Sequence, residues 1–287
     1  MSEQPREVEG VLLVCADDQE AAGRRVAGLE GVDRFELRAR PTQRIRDTYL
    51  DTGEGALGAA RVAFRVRELD GRPLLTLKAD AVRRGLAAER LELEAPWSAG
   101  AIGRVLEELR RRGIRLPDPP EGAEAYGDWR ITGGTTAAST SAREASLGAG
   151  EPLADLGGLG LRPTQVRETT RTPRDVLERG RPDAGPVAEL TVDDVGYRLP
   201  AGTARLLEVE VEAKGAGGLA TVQALLEALA EGFPGELRPW PYGKLATGRA
   251  VERLLAAGRL DGLLSPDDRV RPAALELLAE LLSEAGA

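Results

Sequence analysis

Histidine is absent from the 287 residues. With it go Ser-His-Asp and Cys-His catalysis and the zinc sites that need imidazole. Any metal must be held by oxygen, which points to Mg2+, Mn2+ or Ca2+. The single cysteine, Cys15, allows no intramolecular disulfide. It sits in the apolar run VLLVCA and reads as a buried small hydrophobe. Aromatic residues make up only 3% of the chain, which leaves little for stacking on nucleic-acid bases. No apolar run approaches membrane-spanning length, and MSEQPREVEG lacks the hydrophobic centre of a signal peptide. The expectation is a cytoplasmic protein with no membrane partner. An excess of acid, 47 Asp and Glu against 39 Lys and Arg, gives a net charge of −8. That argues against broad nucleic-acid binding and still permits a local basic pocket.

What is present fits a soluble globular chain: 42% hydrophobic and 30% charged residues. Length alone allows one large domain or two small ones. REVEGVLLV reads as a strand, followed by a helix in DDQEAAGRRVAGL with Asp17 as its expected N-cap. Strands then accumulate in FELRAR, IRDTYLDT and ARVAFRVREL. Asp70-Gly71 is a hairpin signal leading into RPLLTLKAD, and ERLELEAPW follows. Ser98 should cap the helix AIGRVLEELRRR, and Gly113 should end it. Its Glu107 and Glu108, with Arg110 to Arg112, read as a solvated face. Residues 131–150, rich in Gly, Ser, Thr and Ala, read as a mobile loop or insertion. Strand signals resume in TQVRETTR, VAELTVDDVGY and RLLEVEVEA, and three helical stretches complete the chain.

The strands share one property. In LLEVEVEAKG, Leu207, Val209 and Val211 take one face while Glu208, Glu210 and Glu212 take the other, the period-two pattern of a strand. Glu7 and Glu9 share a face, as do Glu92 and Glu94 beside Arg90. Arg65 and Arg67 share another, Thr76 goes with Lys78, Arg167 goes with Thr169 and Arg171, and Glu189 goes with Thr191 and Asp193. The signs come in blocks, whereas a solvated surface mixes them. Strands closed into a barrel would turn these faces inward and leave the apolar faces to the helices, the reverse of an ordinary small barrel. Enclosed charges need ligand, metal and water. A polyphosphate–metal complex fits, with carboxylates on Mg2+ or Mn2+ and Arg and Lys on phosphate oxygens.

Taken in order, E-x-E at 7–9, Y-L-D-T at 49–52, R-V-R at 65–67, L-T-L-K at 75–78, E-L-E at 92–94 and E-V-E-V-E-A-K at 208–214 resemble the CYTH superfamily, the triphosphate tunnel metalloenzymes. LGLRPTQVRETTR adds to the likeness, which spans roughly residues 5–250. The resemblance implies an α+β fold: an eight-stranded antiparallel β-barrel forming a triphosphate tunnel, with flanking helices. It implies a tunnel domain over 1–250 and a helical extension over 251–287 packed on or near the barrel. It implies metal-dependent hydrolysis of inorganic triphosphate or an organic triphosphate such as thiamine triphosphate, with Mg2+ or Mn2+. Glu7, Glu9, Arg65, Arg67 and Lys78 would be catalytic. Arg65, Arg67, Lys78, Arg167, Arg171 and Lys244 would bind substrate. Glu7, Glu9, Glu92, Glu94, Asp193, Glu208, Glu210 and Glu212 would face the metals. The expected partner is a triphosphate-containing small molecule or polyphosphate, not nucleic acid, and the expected assembly is a monomer or homodimer.

Two departures stand out. The family signature E-x-E-x-K reads Glu7-Val8-Glu9-Gly10-Val11 here, so the lysine implied to bind substrate and set up the attacking water is Val11. Arg38 or Arg40 would be the substitute cation. The serine that usually precedes the C-terminal lysine is Gly243. Three readings follow: a metal-dependent triphosphatase, a catalytically weak polyphosphate or nucleotide sensor, and a class IV-type adenylate cyclase.

Overall fold

The computed structural model describes residues 6–116, 152–181, 183 and 185–284. The expected loop at 131–150 lies outside the described residues. The strands are β1 (Arg6–Val14), β2 (Gly31–Val32), β3 (Phe35–Ala39), β4 (Gln43–Thr52), β5 (Ala63–Leu69), β6 (Arg72–Arg84), β7 (Ala87–Pro96), β8 (Leu161–Glu178), β9 (Ala188–Leu199), β10 (Gly202–Ala213) and β11 (Leu237–Pro239). The helices are α1 (Gln19–Ala27), α2 (Ala56–Ala59), α3 (Ala99–Arg111), α4 (Pro152–Gly158), α5 (Leu219–Gly232), α6 (Lys244–Ala256) and α7 (Pro272–Glu284). Hydrogen-bonded neighbours run β8-β4-β5-β6-β7-β1-β10-β9, and a β8–β9 pairing returns to the start. This is the expected closed eight-stranded antiparallel barrel with flanking helices. The short β3 extends from β8, β2 from β3, and β11 from β1.

The chain divides into two compact units. The first comprises residues 1–46, 80–91 and 165–287 as far as they are described. Its longest pairing is β9 with β10, in which Glu208 stands opposite Asp193, and Val209 opposite Val192. The alternation sorts the side chains as the sequence predicts. Leu190 and Val192 of β9, Leu207, Val209 and Val211 of β10, and Leu12 and Val14 of β1 pack with α1 and α5 through Ala22, Val26, Val222, Leu225, Leu226 and Leu229. A Cβ on Gly10 would lie 2.3 Å from the Leu226 side chain and 2.9 Å from the Leu86 carbonyl. A glycine there lets α5 lie close on β1.

The opposite, inner face is not charged along its whole length. Beyond the acidic positions it becomes Leu13 on β1, Val195, Tyr197 and Leu199 on β9, and Ala204 and Leu206 on β10. These pack with Trp240 and with Ala250, Val251, Leu254, Leu275, Leu278 and Leu282 of α6 and α7, and Val11 and Cys15 lie against the same cluster.

The second unit comprises residues 47–79 and 92–164 as far as they are described. Phe64, Val66, Leu75 and Leu77 are buried on β5 and β6, and α3 buries Ile102, Val105 and Leu109. Asp70 and Gly71 have φ of 50° and 76°, which suits the expected two-residue hairpin of primed type. Ser98 accepts a hydrogen bond from the Ala101 amide and caps α3, and Gly113, with φ 72°, follows its last turn. Asp51 accepts from the Thr52, Leu57 and Gly58 amides, so it organises the turn that follows β4.

Two local expectations are corrected. The cap of α1 is Asp18, which accepts from the Ala21 amide, one residue after the expected Asp17. Glu108 is not solvated: it is 5% exposed and pairs with Arg112 at 2.8 Å. Its position on the core side of α3 outweighs its charge.

Candidate functional site

In the first unit, the inner face of β1, β8, β9 and β10 gathers buried charge. Glu7, Glu9, Arg167, Arg171, Asp193, Glu208 and Glu210 are all buried. Register explains the grouping: Arg171 stands opposite Asp193, Asp193 opposite Glu208, and Glu9 opposite Glu212. Arg171 donates twice to Asp193, at 2.9 and 2.7 Å, and lies 3.5 Å from Glu210. Lys244 lies 2.8 Å from Asp193, 2.6 Å from Glu210 and 3.5 Å from Glu208.

The position of Lys244 follows from the segment before it. β11 pairs with β1, and the Trp240 amide donates to the Val11 carbonyl at 2.8 Å. The Trp240 indole donates to Thr247 at 2.9 Å. The start of α6 is thereby fixed with Lys244 as its first residue. Gly243, the N-cap, supplies no side-chain hydrogen bond, the structural consequence of lacking serine there.

Burial alone would raise the Asp193 carboxyl, but Arg171 and Lys244 outweigh it and hold the group below its usual range. Glu208 goes the other way: burial, reinforced by Asp193, raises it despite Lys244 and Arg167. It is 1% exposed, and neither of its carboxylate oxygens accepts a hydrogen bond among the described residues.

At the other end of this face, Arg90 bridges the glutamates of β1. It lies 2.9 Å from Glu7 and 2.5 Å from Glu9. Glu212 approaches Glu7, with carboxylate oxygens within 4.8 Å of each other, and pairs with Lys214 at 2.5 Å. Burial and Glu7 push the Glu212 carboxyl up to about 7 against the opposing effect of Lys214.

The second unit gathers the other predicted residues. Asp47, 2% exposed, binds Arg67 through two hydrogen bonds of 2.8 and 3.1 Å and Arg65 at 3.4 Å. Arg65 also donates to the Tyr49 hydroxyl at 3.2 Å, and its guanidinium lies 5.9 Å from that ring's centre. Lys78 pairs with Glu92 at 3.1 Å, and Thr76 donates to Glu94 at 2.9 Å. Every predicted site residue therefore belongs to one of two charged constellations, one in each unit.

Sequence reading missed Arg90 and Asp47 as site residues. Arg90 shares its face with Glu92 and Glu94, and Asp47 interrupts the alternating buried positions Ile45 and Tyr49. Those signals were available. Of the expected substitutes for the lost lysine, Arg40 reaches Glu189, which shares the β9 face with Asp193, and Arg38 does not. Arg38 pairs with Glu36 and is half exposed; Arg40 pairs with Asp175 and Glu189.

The donor set suits a hard divalent cation. All of it is oxygen, and two carboxylates on one small ion place their oxygens about 4 Å apart at most, near the Glu7–Glu212 approach. Burial and Glu7 push Glu212 up despite Lys214, and the Glu208 oxygens accept no hydrogen bond among the described residues, with Lys244 3.5 Å away.

A family model described as the CYTH domain matches residues 32–231. Several solved structures are similar at low identity. A candidate adenylyl cyclase from Hippeastrum, described as revealing a dominant triphosphatase activity, is 16% identical, covering 86% of this chain and 96% of that one with a TM-score of 0.49. A candidate adenylate cyclase from Bacillus halodurans is 13% identical over 84% and 96%, with a TM-score of 0.45. A protein from Pyrococcus horikoshii is 16% identical over 87% and 99%, with a TM-score of 0.40. No curated protein matches. Among the described residues no helix is long and apolar enough to cross a membrane.

Proposed function

Because this chain belongs to the CYTH domain family, we propose that it hydrolyses a triphosphate, inorganic or organic, in a reaction that depends on Mg2+ or Mn2+. The observation that carries this reading is the surplus of buried carboxylate on the inner face of the first unit. Glu7, Glu9, Asp193, Glu208 and Glu210 are buried there, and Glu212 resists ionisation until about pH 7. Such a surplus is costly unless a cation completes it.

Glu7, Glu9, Glu208, Glu210, Glu212 and Asp193 are the first unit's candidate ligands for the ion, and Glu92 and Glu94 are those of the second unit. When bound, it supplies positive charge to the phosphate oxygens and an activated water. Arg65, Arg67, Lys78, Arg167, Arg171 and Lys244 would grip phosphate oxygens. Arg65 and Arg67 would first loosen from Asp47, Lys78 from Glu92, and Lys244 and Arg171 from Asp193. Phosphoryl transfer asks little covalent chemistry of a protein; positioning and fixed charge do most of it. The ion pairs keep these side chains close by until substrate arrives, so only short movements separate the resting pairs from phosphate contacts.

Phosphate release from inorganic triphosphate, thiamine triphosphate and ATP, with Mg2+, Mn2+ or EDTA, tests the proposal. Metal-dependent release should fall at least about a hundredfold in Glu92→Gln and in Arg65→Ala. A second reading, a binding protein with weak or no turnover, is favoured by Val11 at the signature lysine position. It would be selected by the absence of release from all three substrates while triphosphate still raises the melting temperature. Pyrophosphate and a cyclic nucleotide from ATP would select a cyclase instead.

A further inference from the structure

The two glutamates of β1 are held by a cation from the neighbouring strand. Arg90 on β7 stands directly opposite Glu7 in the antiparallel register, so both side chains leave the same face. Its Nε lies 2.9 Å from Glu7 Oε2, and its Nη2 lies 2.5 Å from Glu9 Oε1. All three side chains are shielded: 17% of Arg90, 6% of Glu7 and 10% of Glu9 is exposed. Glu7 has a second neighbour, Glu212, whose carboxylate oxygen comes within 4.8 Å of its own. Val11, two positions beyond Glu9, stands opposite Glu210 and offers no charge.

We propose that Arg90 is an internal counter-ion that an incoming divalent metal displaces from Glu7, and that its release couples metal binding to triphosphate binding. The inference rests on the metal-dependent reading above. A guanidinium at 2.9 Å and a divalent ion cannot both sit against Glu7 without strong repulsion between like charges in a buried setting. Metal arriving alone must therefore displace Arg90 from Glu7, leaving it only Glu9 and the nearby Glu210, which it already faces. When triphosphate is present, the displaced guanidinium gains a partner. Its planar fork of five N–H donors matches phosphate oxygens, and one donor can stay on Glu9. Arg90 thus weakens metal binding in the absence of triphosphate and strengthens it in its presence. By linkage, metal must then raise triphosphate affinity by the same factor. The coupling also supplies a positive charge beside Glu7 and Glu9 from β7, where β1 itself carries Val11.

The test is calorimetric Mn2+ binding to the full chain, with and without a non-hydrolysable imido analogue of triphosphate, in wild type, Arg90→Met and Arg90→Lys. Wild type should bind Mn2+ at least about fivefold more tightly with the analogue, the lower end of ordinary coupling. Arg90→Met should bind Mn2+ alone about five- to twentyfold more tightly than wild type, and its enhancement by the analogue should fall severalfold, to the part due to direct attraction between ion and phosphate. Arg90→Lys should keep part of the enhancement. General damage to the fold would weaken Mn2+ binding, so the direction of the change separates a displaced counter-ion from a structural role. Unchanged or weaker Mn2+ binding in Arg90→Met, with the enhancement intact, overturns the inference and leaves the metal-dependent reading standing. A wild-type chain that binds no Mn2+ under either condition overturns both.

Discussion

The inner face of β1, β9 and β10 has two stretches that lie on the same strands and differ in their side chains and in what covers them. One carries Glu7 and Glu9, Asp193, and Glu208, Glu210 and Glu212. The other carries Leu13, then Val195, Tyr197 and Leu199, then Ala204 and Leu206, covered by α6, α7 and Trp240. Burying an aliphatic side chain stabilises a fold by about 2 kcal/mol. A buried ion pair often breaks even against its own desolvation, and is costly chiefly when half of it is removed. The apolar stretch therefore supplies stability that the charged stretch does not. One strand face is divided between holding the fold and keeping charge ready for a ligand.

The contrast can be broken most directly by carrying charge across it. Leu206→Asp puts a carboxylate into the apolar cluster with Val195, Trp240 and α6. It should cost more than about 4 kcal/mol, read as loss of the urea unfolding transition at 25 °C; a cost within about 1 kcal/mol of wild type would erase the distinction between the stretches. Next in size is Asp193→Ala, which removes the carboxylate shared by Arg171 and Lys244. A loss of about 3 kcal/mol is expected, and an unchanged midpoint would show that Glu210 and Glu208 hold both cations unaided.

The third effect is a pH dependence. Glu212 titrates near 7 in the folded chain and near 4.5 otherwise, so between those values the folded state holds a proton that the unfolded state has released. The metal-free protein should accordingly lose up to about 3 kcal/mol as pH rises from 4.5 through 7. Glu212→Gln should flatten this loss and be the more stable protein at pH 8. Equal slopes for the two proteins in urea titrations at pH 5 and pH 8 would refute the assignment.

At the boundary between the stretches the effects become small. Val11 is half-buried and stands opposite Glu210, so Val11→Lys should change stability by no more than about 1 kcal/mol. A rise in phosphate release with this variant would identify the missing lysine as limiting; no rise would mean that another group has taken its part. Without bearing on stability is the labelling rate at Cys15, whose thiol burial pushes up to about 11. Alkylation at pH 8 should run roughly a hundredfold slower than for an ordinary exposed thiol. Ordinary reactivity would show that the apolar stretch is open to water.

The sequence made the charged stretch readable and left its end invisible. Glu208, Glu210 and Glu212 alternate with valines, so their face could be assigned without coordinates. VLLV cannot be divided in the same way, because both of its faces are apolar once α6 and α7 cover one and α5 the other. Val11 could be recognised as a departure, but its contact with Trp240 joins residues far apart in the chain, and no local pattern announces it. The Asp70-Gly71 hairpin and the Ser98 cap were legible because turn and cap chemistry is local. Arg90 was visible on its strand face, but its role depends on register: one residue of slip would turn it away from Glu7. Partner choice within the two constellations, such as Asp47 with Arg67, depends on strand neighbours in the same way.

Trp240 has an optical consequence. It is 4% exposed, tied to the Val11 carbonyl and the Thr247 hydroxyl, and four residues ahead of Lys244. Its emission should be blue-shifted at rest, and it should respond whenever α6 shifts as Lys244 leaves Asp193 and Glu210. With Trp97 and Trp129 replaced by Phe, Trp240 would be an unlabelled fluorophore at the junction between the stabilising and the charged stretches, and arrival of a ligand should be timed in a stopped-flow cell by light alone.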